Sequence, residues 1–454
     1  MATESSGGTV TDIAPGASPW LVAATYRQGS SEYYYPSVKA VDNKGALSLA
    51  GYAKLGVSGW ETEVVTSDTI YSLGFQVQDM AIDPANGQLV VAGSGSHGLP
   101  SGCYFARRDR YGVWQTEQII DYASEEWSPG GEDIYGRVND CHIGWNTSGQ
   151  PVVILNSWKA LFMGGITRIF CKERSASGEW NFVSGASGEG APAIFPLMGS
   201  IARAASLTPT HFVVLCSEVL DIDRRYGLLW YDNGVWSIED TGYKQATYSW
   251  VMNPAFDSTG TLHMTAKDDG VDKYAIWIYT RNGAGDWIEQ QVTDSNMADG
   301  STGMGPSGLM FSAGNEPQFL LTRGYSEESP YLRNISIATC KASGVEELFI
   351  ARTNGISTDS MRHDARGISV FYNDSPGTEI KRILYHTRIE GMLRIDETIY
   401  AIPTSAGDAG ASIHDTATDD SGHVFAILGG REGEFGQGFS IGQMFAERVD
   451  PRTE

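Results

Sequence analysis

The chain has 454 residues and a formal net charge of −23. Nucleic acids and anionic membrane surfaces are bound by clustered Lys and Arg, so this charge argues against both as partners. No stretch reaches the roughly 18 consecutive apolar residues of a membrane span, and the polar segment 1–9 predicts no signal peptide. The 54 glycines and the 11% of aromatic residues favour many short strands joined by tight turns.

The five cysteines are odd in number, widely spaced and mostly set in apolar, strand-like runs. No Cys-x-x-Cys pair indicates zinc. We therefore predict reduced, buried side chains and no disulfide framework. These residues are Cys103, Cys141, Cys171, Cys216 and Cys340.

A Gly-x-Trp sequence follows a short polar turn four times, with intervals of 66, 56 and 51 residues between the tryptophans. The copies are Gly112–Trp114, Gly178–Trp180, Gly234–Trp236 and Gly285–Trp287. Each occupies the same place in a pattern of strand, turn, strand, strand, polar turn and strand. A repeat of this size, built only from short strands, is typical of a β-propeller.

The second repeat shows the pattern most fully. Residues 78–83 predict an inner strand, 88–92 a second strand, 103–108 a third and 113–120 an outer strand. These runs are short, rich in β-branched and aromatic residues, and bounded by Gly, Asn, Asp and Pro. In chain order the pattern predicts an all-β fold, a single propeller domain over residues 1–454, with eight four-stranded blades at approximately 9–65, 76–120, 137–184, 200–241, 248–293, 306–350, 358–400 and 410–450.

The turn glycines support this spacing. Gly367 and Gly422 are 55 residues apart, and Gly260 and Gly367 are 107 apart, which corresponds to two blades. The first blade fits the pattern least well, so a seven-bladed ring with a long N-terminal extension is the alternative.

The last blade ends at its third strand, residues 441–448. An unpaired edge would leave backbone groups unsatisfied and the ring free to open. We therefore predict that a segment within residues 1–12 pairs with this strand and closes the ring.

The turn before the outer strand resembles a degenerate Asp-box of the sialidase-like (BNR repeat) propellers. Residues 108–114, Arg-Asp-Arg-Tyr-Gly-Val-Trp, and residues 231–236, Tyr-Asp-Asn-Gly-Val-Trp, keep the Asp, Gly and Trp, whereas residues 175–180 lack the Asp. The resemblance implies a fold in which the carboxylate caps backbone N–H groups and the ring packs between sheets. These tryptophans are accordingly interpreted as structural. A sialidase would need an Arg-Ile-Pro sequence, which the chain lacks.

The inner strands of a propeller line its channel, and here they contain unusual polar residues. These are Asp79, Asp140, His142, Arg203, Trp250, Asn253, Asp359, Arg362, His363, Asp364, His414 and Asp415. Counted back from their turn glycines, His142 is seven residues away and His414 and Asp359 are eight, which predicts one level of the channel. This level could bind a divalent cation through His142, His414 and Asp359; no cofactor is required, and a hydrated channel without chemistry is the alternative.

An acid–base site is one hypothesis for the channel mouth. Propeller-fold polysaccharide lyases, such as the ulvan lyases, use His and Tyr as base and acid and a cation beside the sugar carboxylate. The candidate catalytic residues here are His142, Tyr135, Arg137 and Arg203. No lyase motif aligns with the chain residue by residue, and the acidic surface disfavours an anionic polymer.

Aromatic side chains flanked by carboxylates suit sugar faces or a protein surface. The candidate ligand-binding residues of this kind are Trp127, Tyr122, Tyr34, Trp250 and Asp79.

The leading hypothesis is therefore a non-catalytic propeller that binds a glycan or a protein surface. It would act as a recognition or structural module of a cell-surface or virion assembly, outside the cell, as a homo-oligomer or part of a larger complex. A polysaccharide lyase is the alternative function.

Overall fold

The computed structural model describes residues 37–38, 51–52, 59–65, 75–95, 102–109, 113–121, 135–161, 164–183, 195–219, 225–244, 253–270, 273–292, 307–324, 332–354, 360–364, 366–374, 380–403, 411–419, 422–430 and 442–449.

The chain divides into two compact units. The first comprises residues 1–59 and 449–454, and its described residues include an antiparallel pair of short strands, β1 (Ser37–Val38) and β2 (Gly51–Tyr52). The second unit, residues 60–448, contains the remaining sheets. No helix long and apolar enough to cross a membrane occurs in the part of the chain described above.

The second unit consists of antiparallel blades of four strands, ordered from the inner to the outer strand. Blade 1 contains β4 (Phe75–Ile82), β5 (Leu89–Gly95), β6 (Gly102–Arg108) and β7 (Trp114–Asp121). Blade 2 contains β8 (Tyr135–Trp145), β9 (Pro151–Leu161), β10 (Gly164–Arg174) and β11 (Trp180–Phe182). Blade 3 contains β12 (Phe195–Thr208), β13 (His211–Val219), β14 (Arg225–Asp232) and β15 (Val235–Lys244). Blade 4 contains β16 (Asn253–Phe256), β17 (Leu262–Gly270), β18 (Lys273–Arg281) and β19 (Trp287–Gln291).

The remaining blades repeat this order. Blade 5 contains β20 (Ser307–Phe311), β21 (Pro317–Gly324), β22 (Leu332–Lys341) and β23 (Gly344–Asn354). Blade 6 contains β24 (Ser360–Asp364), β25 (Gly367–Asp374), β26 (Ile380–Glu390) and β27 (Leu393–Pro403). Blade 7 contains β28 (Ala411–Thr418), β29 (Val424–Gly430), β30 (Gly442–Val449) and, from the N-terminal side of the chain, β3 (Gly59–Val65).

The ring has seven blades in the described part of the chain, so the prediction of eight is wrong. Inner strands of successive blades are in contact all the way round, and the last, β28, contacts the first, β4. This contact leaves no place for a further blade. Of the segment 9–65, predicted as a blade, the described residues contribute β3 to these sheets. The predicted ring-closing segment, residues 1–12, lies outside the described residues.

The apolar core is divided among the interfaces between blades. Seven buried clusters occur in the described chain, and each joins residues of two neighbouring blades. The cluster between blades 1 and 2, for example, packs Phe105 against Phe170 and Val153, all at most 1% exposed. Both faces of each sheet are therefore buried, which is why the strands read as almost continuous apolar runs.

The tryptophans of the Gly-x-Trp sequences lie at these interfaces, as expected. Trp180 packs on Phe105 of the preceding blade, with ring centroids 5.4 Å apart, and Trp114 packs edge-on against Phe445. Trp60, at the start of β3, holds the same position between blades 6 and 7.

The polar turns are capped as the Asp-box resemblance implies. Asp109 Oδ1 accepts the N–H of Val113 at 2.9 Å. In the turn that lacks Asp, Ser175 Oγ accepts the N–H of Glu179 at 3.0 Å. The hydroxyl therefore replaces the carboxylate without loss of the turn.

The five cysteines are free, and all but the partly buried Cys340 are buried. Burial raises the pKa of Cys103 and of Cys216 to about 12. Their thiols are therefore protonated core residues, in agreement with the prediction.

Arginine–glutamate pairs join neighbouring blades near their outer strands. Glu117 accepts two hydrogen bonds from Arg174 of the next blade, and Glu239 pairs in the same way with Arg281. The most buried example is Glu397, which Arg448 approaches with Nε at 2.8 Å and Nη2 at 3.0 Å; the side chains are 13% and 5% exposed.

Removing one charge of the buried pair should destabilise the ring. Burial alone would raise the pKa of Glu397, but hydrogen bonds from His386 and Arg448 lower it to about 2, so the group is ionised at neutral pH. We expect Glu397→Gln to lower the free energy of unfolding by about 3 kcal/mol, because Arg448 keeps an unpaired buried charge. Urea denaturation followed by tryptophan fluorescence measures this loss.

The matched control is Asp240→Asn, which breaks the exposed pair with Arg225 in blade 3. Solvent screening limits the expected loss there to less than about 1 kcal/mol. Equal losses in the two variants would contradict the structural role of Glu397.

Candidate functional site

The inner strands carry β-bulges at corresponding places. Register shifts interrupt the inner strand in blades 1, 2, 3, 5 and 7. In four of these strands a charged residue lies inside or directly after a shift: Asp79, Asp140, Arg203 and Asp415. A bulge re-aims the side chains of one strand without breaking the sheet, and here it places charges along the inner strands, which line the channel.

Two of the carboxylates bind the backbone of the next inner strand. Asp415 Oδ2 accepts the N–H of Met80 at 2.7 Å, and Asp79 Oδ2 accepts the N–H of Ile143 at 2.6 Å. These contacts connect blade 7 to blade 1 and blade 1 to blade 2. A carboxylate is a strong acceptor for such N–H groups, so these aspartates have a structural role in the ring.

His142 is held between the same strands. Its Nδ1 lies 3.1 Å from Asp79 Oδ2, and its ring meets the edge of Phe212 with centroids 5.7 Å apart. Its Nε2 is buried and has no hydrogen-bond partner among the described residues. In this arrangement neither nitrogen of the imidazole is presented to a ligand in the channel, although a general base must reach its proton.

Asp140 is hydrogen-bonded to the side-chain amide of Asn156 in its own blade. Asn156 Nδ2 donates to its Oδ2 at 3.0 Å, while the N–H of Asp140 donates to Asn156 Oδ1 at 2.8 Å. Burial raises the pKa of Asp140, and the Asn156 hydrogen bond and the charge of Arg203 oppose this shift.

The two arginines of the site do not use all of their N–H donors in hydrogen bonds with the described residues. Arg362 donates from Nη2 to Asp415 Oδ1 and from Nε to the carbonyl of Thr416, both at 3.1 Å, and its side chain is 42% exposed. Arg203 is exposed and makes no hydrogen bond or ion pair with another described residue. Its guanidinium therefore has donors available for a ligand.

Electrostatic interactions show that these charges form one cluster. The pKa of Arg203 is lowered, first by desolvation and then by the like charge of Arg362. The opposing charges are those of Asp415, Asp140 and Asp79. We call these five residues, together with His142, the channel cluster: Asp79, Asp140, His142, Arg203, Arg362 and Asp415.

The carboxyl group of Asp415 has a strongly raised pKa. Burial and then the charge of Asp79 raise its pKa to about 7, against the lowering effect of Arg362 and of the N–H groups of Thr416 and Met80. Perturbed carboxyl groups of this kind are frequent at functional sites.

The structure brings together only some of the predicted site residues. Asp79, His142 and Arg203 belong to the channel cluster, whereas Tyr135 and Arg137 lie further along β8, opposite Lys159 and Trp158. Predicted residues outside the described chain are Tyr34, Tyr122, Trp127, Trp250 and Asp359.

The predicted cation site is not visible as a group of ligands. His414 is the extra residue of the bulge in β28, and Asp359 lies outside the described segments. Within those segments no group of three or more His, Cys, Asp or Glu residues could hold a metal ion. The cation at His142, His414 and Asp359 therefore remains a prediction.

The sequence predicts Arg362, Asp140 and Asp415 as polar inner-strand residues without assigning them to a binding or catalytic site. A signal in the sequence could have identified Asp415: it precedes the turn residue Asp419 by four positions, as Asp79 precedes Asp83. Nothing comparable marks Arg362, whose place depends on contacts between blades.

No protein-family model matches the sequence, and the comparison with curated proteins gives no match. Solved structures do resemble the fold. One is a polysaccharide lyase of family PL25, an ulvan lyase, with a TM-score of 0.50 and 11% identity over 79% of this chain and 92% of that one. Another is the polysaccharide lyase Uly1, with a TM-score of 0.48 and 11% identity over 88% and 94%.

An α-L-arabinofuranosidase from Fusarium graminearum has a TM-score of 0.40 and 12% identity over 66% of this chain and 88% of that one. At these identities the likeness concerns the fold alone. The resemblance noted in the sequence likewise concerned the fold, and it is confirmed at that level.

The raised pKa of Asp415 predicts a pH-dependent stability. Between about pH 4, where a free aspartate titrates, and about pH 7 the folded chain retains a proton that the unfolded chain has lost. The stabilising contribution of this group is therefore complete below about pH 4 and is lost as the pH rises through about 7. In Asp415→Asn the side chain does not titrate, so this loss of stability with rising pH is absent. The amide oxygen of the asparagine can still accept the N–H of Met80.

We expect the free energy of unfolding of Asp415→Asn, relative to wild type, to increase by at least about 1 kcal/mol between about pH 5 and about pH 8, the equivalent of roughly one pKa unit. Urea denaturation across this range measures it, with Asp286→Asn in an exposed turn as control. A difference that does not change with pH would show that Asp415 is ionised throughout.

Proposed function

We propose that this protein is a non-catalytic glycan-binding propeller whose ligand is held at the channel cluster. The observation that supports this most directly is Arg203, an exposed channel guanidinium without a partner among the described residues, next to a second, partly exposed arginine, Arg362. Sugar hydroxyl and acidic groups are acceptors that such donors bind in a directional manner.

The other members of the cluster favour binding over acid–base catalysis. The carboxylates of Asp79, Asp140 and Asp415 already accept hydrogen bonds from the protein, and His142 Nε2 is enclosed. A catalytic base would have to lie within hydrogen-bond reach of the substrate. The guanidinium groups are therefore the parts of the cluster available to a ligand.

The solved structure with the TM-score of 0.50 is described as a polysaccharide lyase, which supports a carbohydrate as the ligand class. Loop aromatics predicted from the sequence, among them Trp127 and Trp250, would add stacking surfaces. As part of the same proposal, the protein would act in a cell-surface or virion assembly outside the cell.

A polysaccharide lyase is the second candidate. The observation that favours it is the carboxyl group of Asp415, whose pKa of about 7 suits proton transfer and which lies against Arg362. His142, Tyr135, Arg137 and Arg203 are the catalytic residues proposed for this alternative.

Glycan-array binding with wild-type protein tests the leading proposal. We expect Arg203→Gln to weaken binding of the best glycan at least about tenfold, because one charge-assisted hydrogen bond is lost. Arg225→Gln is the matched control, since Arg225 pairs with Asp240 toward the outer strand of the same blade.

The ultraviolet absorbance of unsaturated sugar products is followed in the same samples. Turnover that disappears in His142→Ala would replace the binding proposal by the lyase. Equal binding by wild type and Arg203→Gln would refute a ligand at the channel cluster.

A further inference from the structure

The outer-strand tryptophan that packs against the preceding blade is replaced in two of the seven blades of the described chain. Blades 1, 2, 3, 4 and 7 have this tryptophan, and the residues are Trp114, Trp180, Trp236, Trp287 and Trp60. In blade 6 the corresponding residue is Arg394, which donates to the carbonyls of Phe349 and Ile350 in blade 5. In blade 5 the corresponding residue is Val345.

Strand register assigns Val345 to the place of the tryptophan. Blades 3 and 5 both have a two-residue turn before the outer strand, and the second residue pair from this turn is equivalent in the two blades. In that pair Trp236 is opposite Tyr231, and Val345 is opposite Cys340. Both side chains face the preceding blade, because Trp236 packs on the cluster between blades 2 and 3 and Val345 on the cluster between blades 4 and 5.

The valine leaves this place uncovered. Tyr231, opposite Trp236, is 1% exposed, whereas Cys340, opposite Val345, is only partly buried. A valine side chain has much less apolar area than an indole, so surface that is buried at the other interfaces remains in contact with water here.

Side chains of both blades line the uncovered place, which we call the rim groove. They are Ile288, Gln290 and Val292 of blade 4 and Cys340, Val345, Glu347 and Phe349 of blade 5. Gln290 and Glu347 are opposite Ile278 and Ala338 of the cluster between these blades, and side chains two apart in a strand share a face. All seven therefore face the opposite blade. Two of them are large, apolar and exposed, Ile288 at 56% and Phe349 at 51%.

The rim groove retains the contacts that an indole makes elsewhere in the ring. Trp180 packs on Phe105 of the preceding blade, with ring centroids 5.4 Å apart, and its Nε1 donates to Glu117 at 3.1 Å. Phe105 and Glu117 are opposite each other, three positions beyond the tryptophan of blade 1. The equivalent pair in blade 4 is Ile278 and Gln290. Gln290 is exposed, and its side-chain oxygen can accept an N–H.

The charge of the groove favours a basic partner. Glu347 follows Val345 on the same face of β23, about 7 Å along the strand. The residues that line the groove include no Lys or Arg. A second copy of this chain, with its net charge of −23, would be repelled, whereas a segment with Lys or Arg beside a tryptophan would pair with this carboxylate.

We propose that the rim groove binds a tryptophan of a basic segment in a protein partner. The indole takes the place that a tryptophan of this chain fills at other interfaces, where it packs on Ile278 and Val345 and donates its N–H to Gln290. Tryptophans with a paired N–H are frequent anchors of protein interfaces. This site is separate from the channel cluster, and the inference does not depend on the proposed glycan.

A short peptide, acetyl-Lys-Trp-Lys-amide with a fluorinated indole, tests the proposal. It is titrated with the full-length protein and followed by fluorine NMR. We expect saturable binding that protects Cys340 from alkylation, since this thiol lies in the groove and the other four cysteines are buried. Replacing the tryptophan by leucine, or both lysines by glutamate, should weaken binding at least about fivefold.

Two variants locate the peptide. Val345→Trp fills the groove from within, so it should abolish binding and raise the midpoint of thermal unfolding by about 2 °C. Gln290→Leu tests the hydrogen bond. The wild type should bind a peptide with an N-methylated indole about fivefold more weakly than the unmodified peptide, whereas this variant should bind the two equally. Gln115→Leu, at an exposed glutamine in the outer strand of blade 1, is the matched control.

Several results would overturn the proposal. These are absence of binding to the wild type, binding that Val345→Trp leaves unchanged, and binding that does not protect Cys340. Equal binding of the leucine peptide would identify a general apolar surface, and equal binding of free indole would identify a small-molecule site. Dimers of the wild type that Val345→Trp separates in analytical ultracentrifugation would make a second copy the occupant. None of these results bears on the channel cluster, which Arg203→Gln tests separately.

Discussion

Packing between blades is the constraint on which the rest of this structure depends. A four-stranded blade has two apolar faces and cannot bury either of them alone, so each sheet is stable only between two neighbours. The seven clusters at the interfaces meet this requirement around the closed ring of the described chain. Polar side chains inside an interface then need a designated partner, as Arg448 has in Glu397.

The channel cluster follows from the same constraint. Near the axis the inner strands converge, and the register shifts place Asp79 and Asp415 where they bind the N–H groups of the next strand. These carboxylates contribute to holding adjacent blades together and also give the channel its charge. Replacing them would alter ring stability and ligand binding together, whereas Arg203 can be changed without loss of any hydrogen bond that the described chain makes.

Much of the fold follows from sequence periodicity. The inner strand predicted at 78–83 corresponds to β4, and the blades predicted to begin at 137 and 410 contain β8 and β28, because short apolar runs between Asx and glycine turns specify a blade locally. The number of blades does not follow, since it depends on whether β28 contacts β4. The run that begins at Trp60 reads as the end of a first blade, but the sheet order assigns it to the last one.

The site was less predictable for a related reason. His142 was an obvious candidate because histidine is common in acid–base catalysis, yet its contacts with Asp79 and Phe212 depend on how three blades meet. The sequence places Arg203 in an inner strand, but its lack of a partner among the described residues is a property of the assembled ring. Residue type therefore predicts which strands form the site. Packing between blades determines which side chains of these strands can contact a ligand.

A buried polar triad shows why availability, and not residue identity, should decide between functions. His386 Nε2 lies 3.1 Å from Ser369 Oγ, and its Nδ1 lies 3.0 Å from Glu397 Oε2. A catalytic nucleophile, its base and an orienting acid are connected in the same order. Both Ser369 and His386 are 0% exposed, and burial lowers the pKa of His386. No substrate can reach this serine, and the three groups instead join strands of blade 6 beside the pair with Arg448. The channel cluster has the opposite character, with less suggestive residues but guanidinium groups that a ligand can reach.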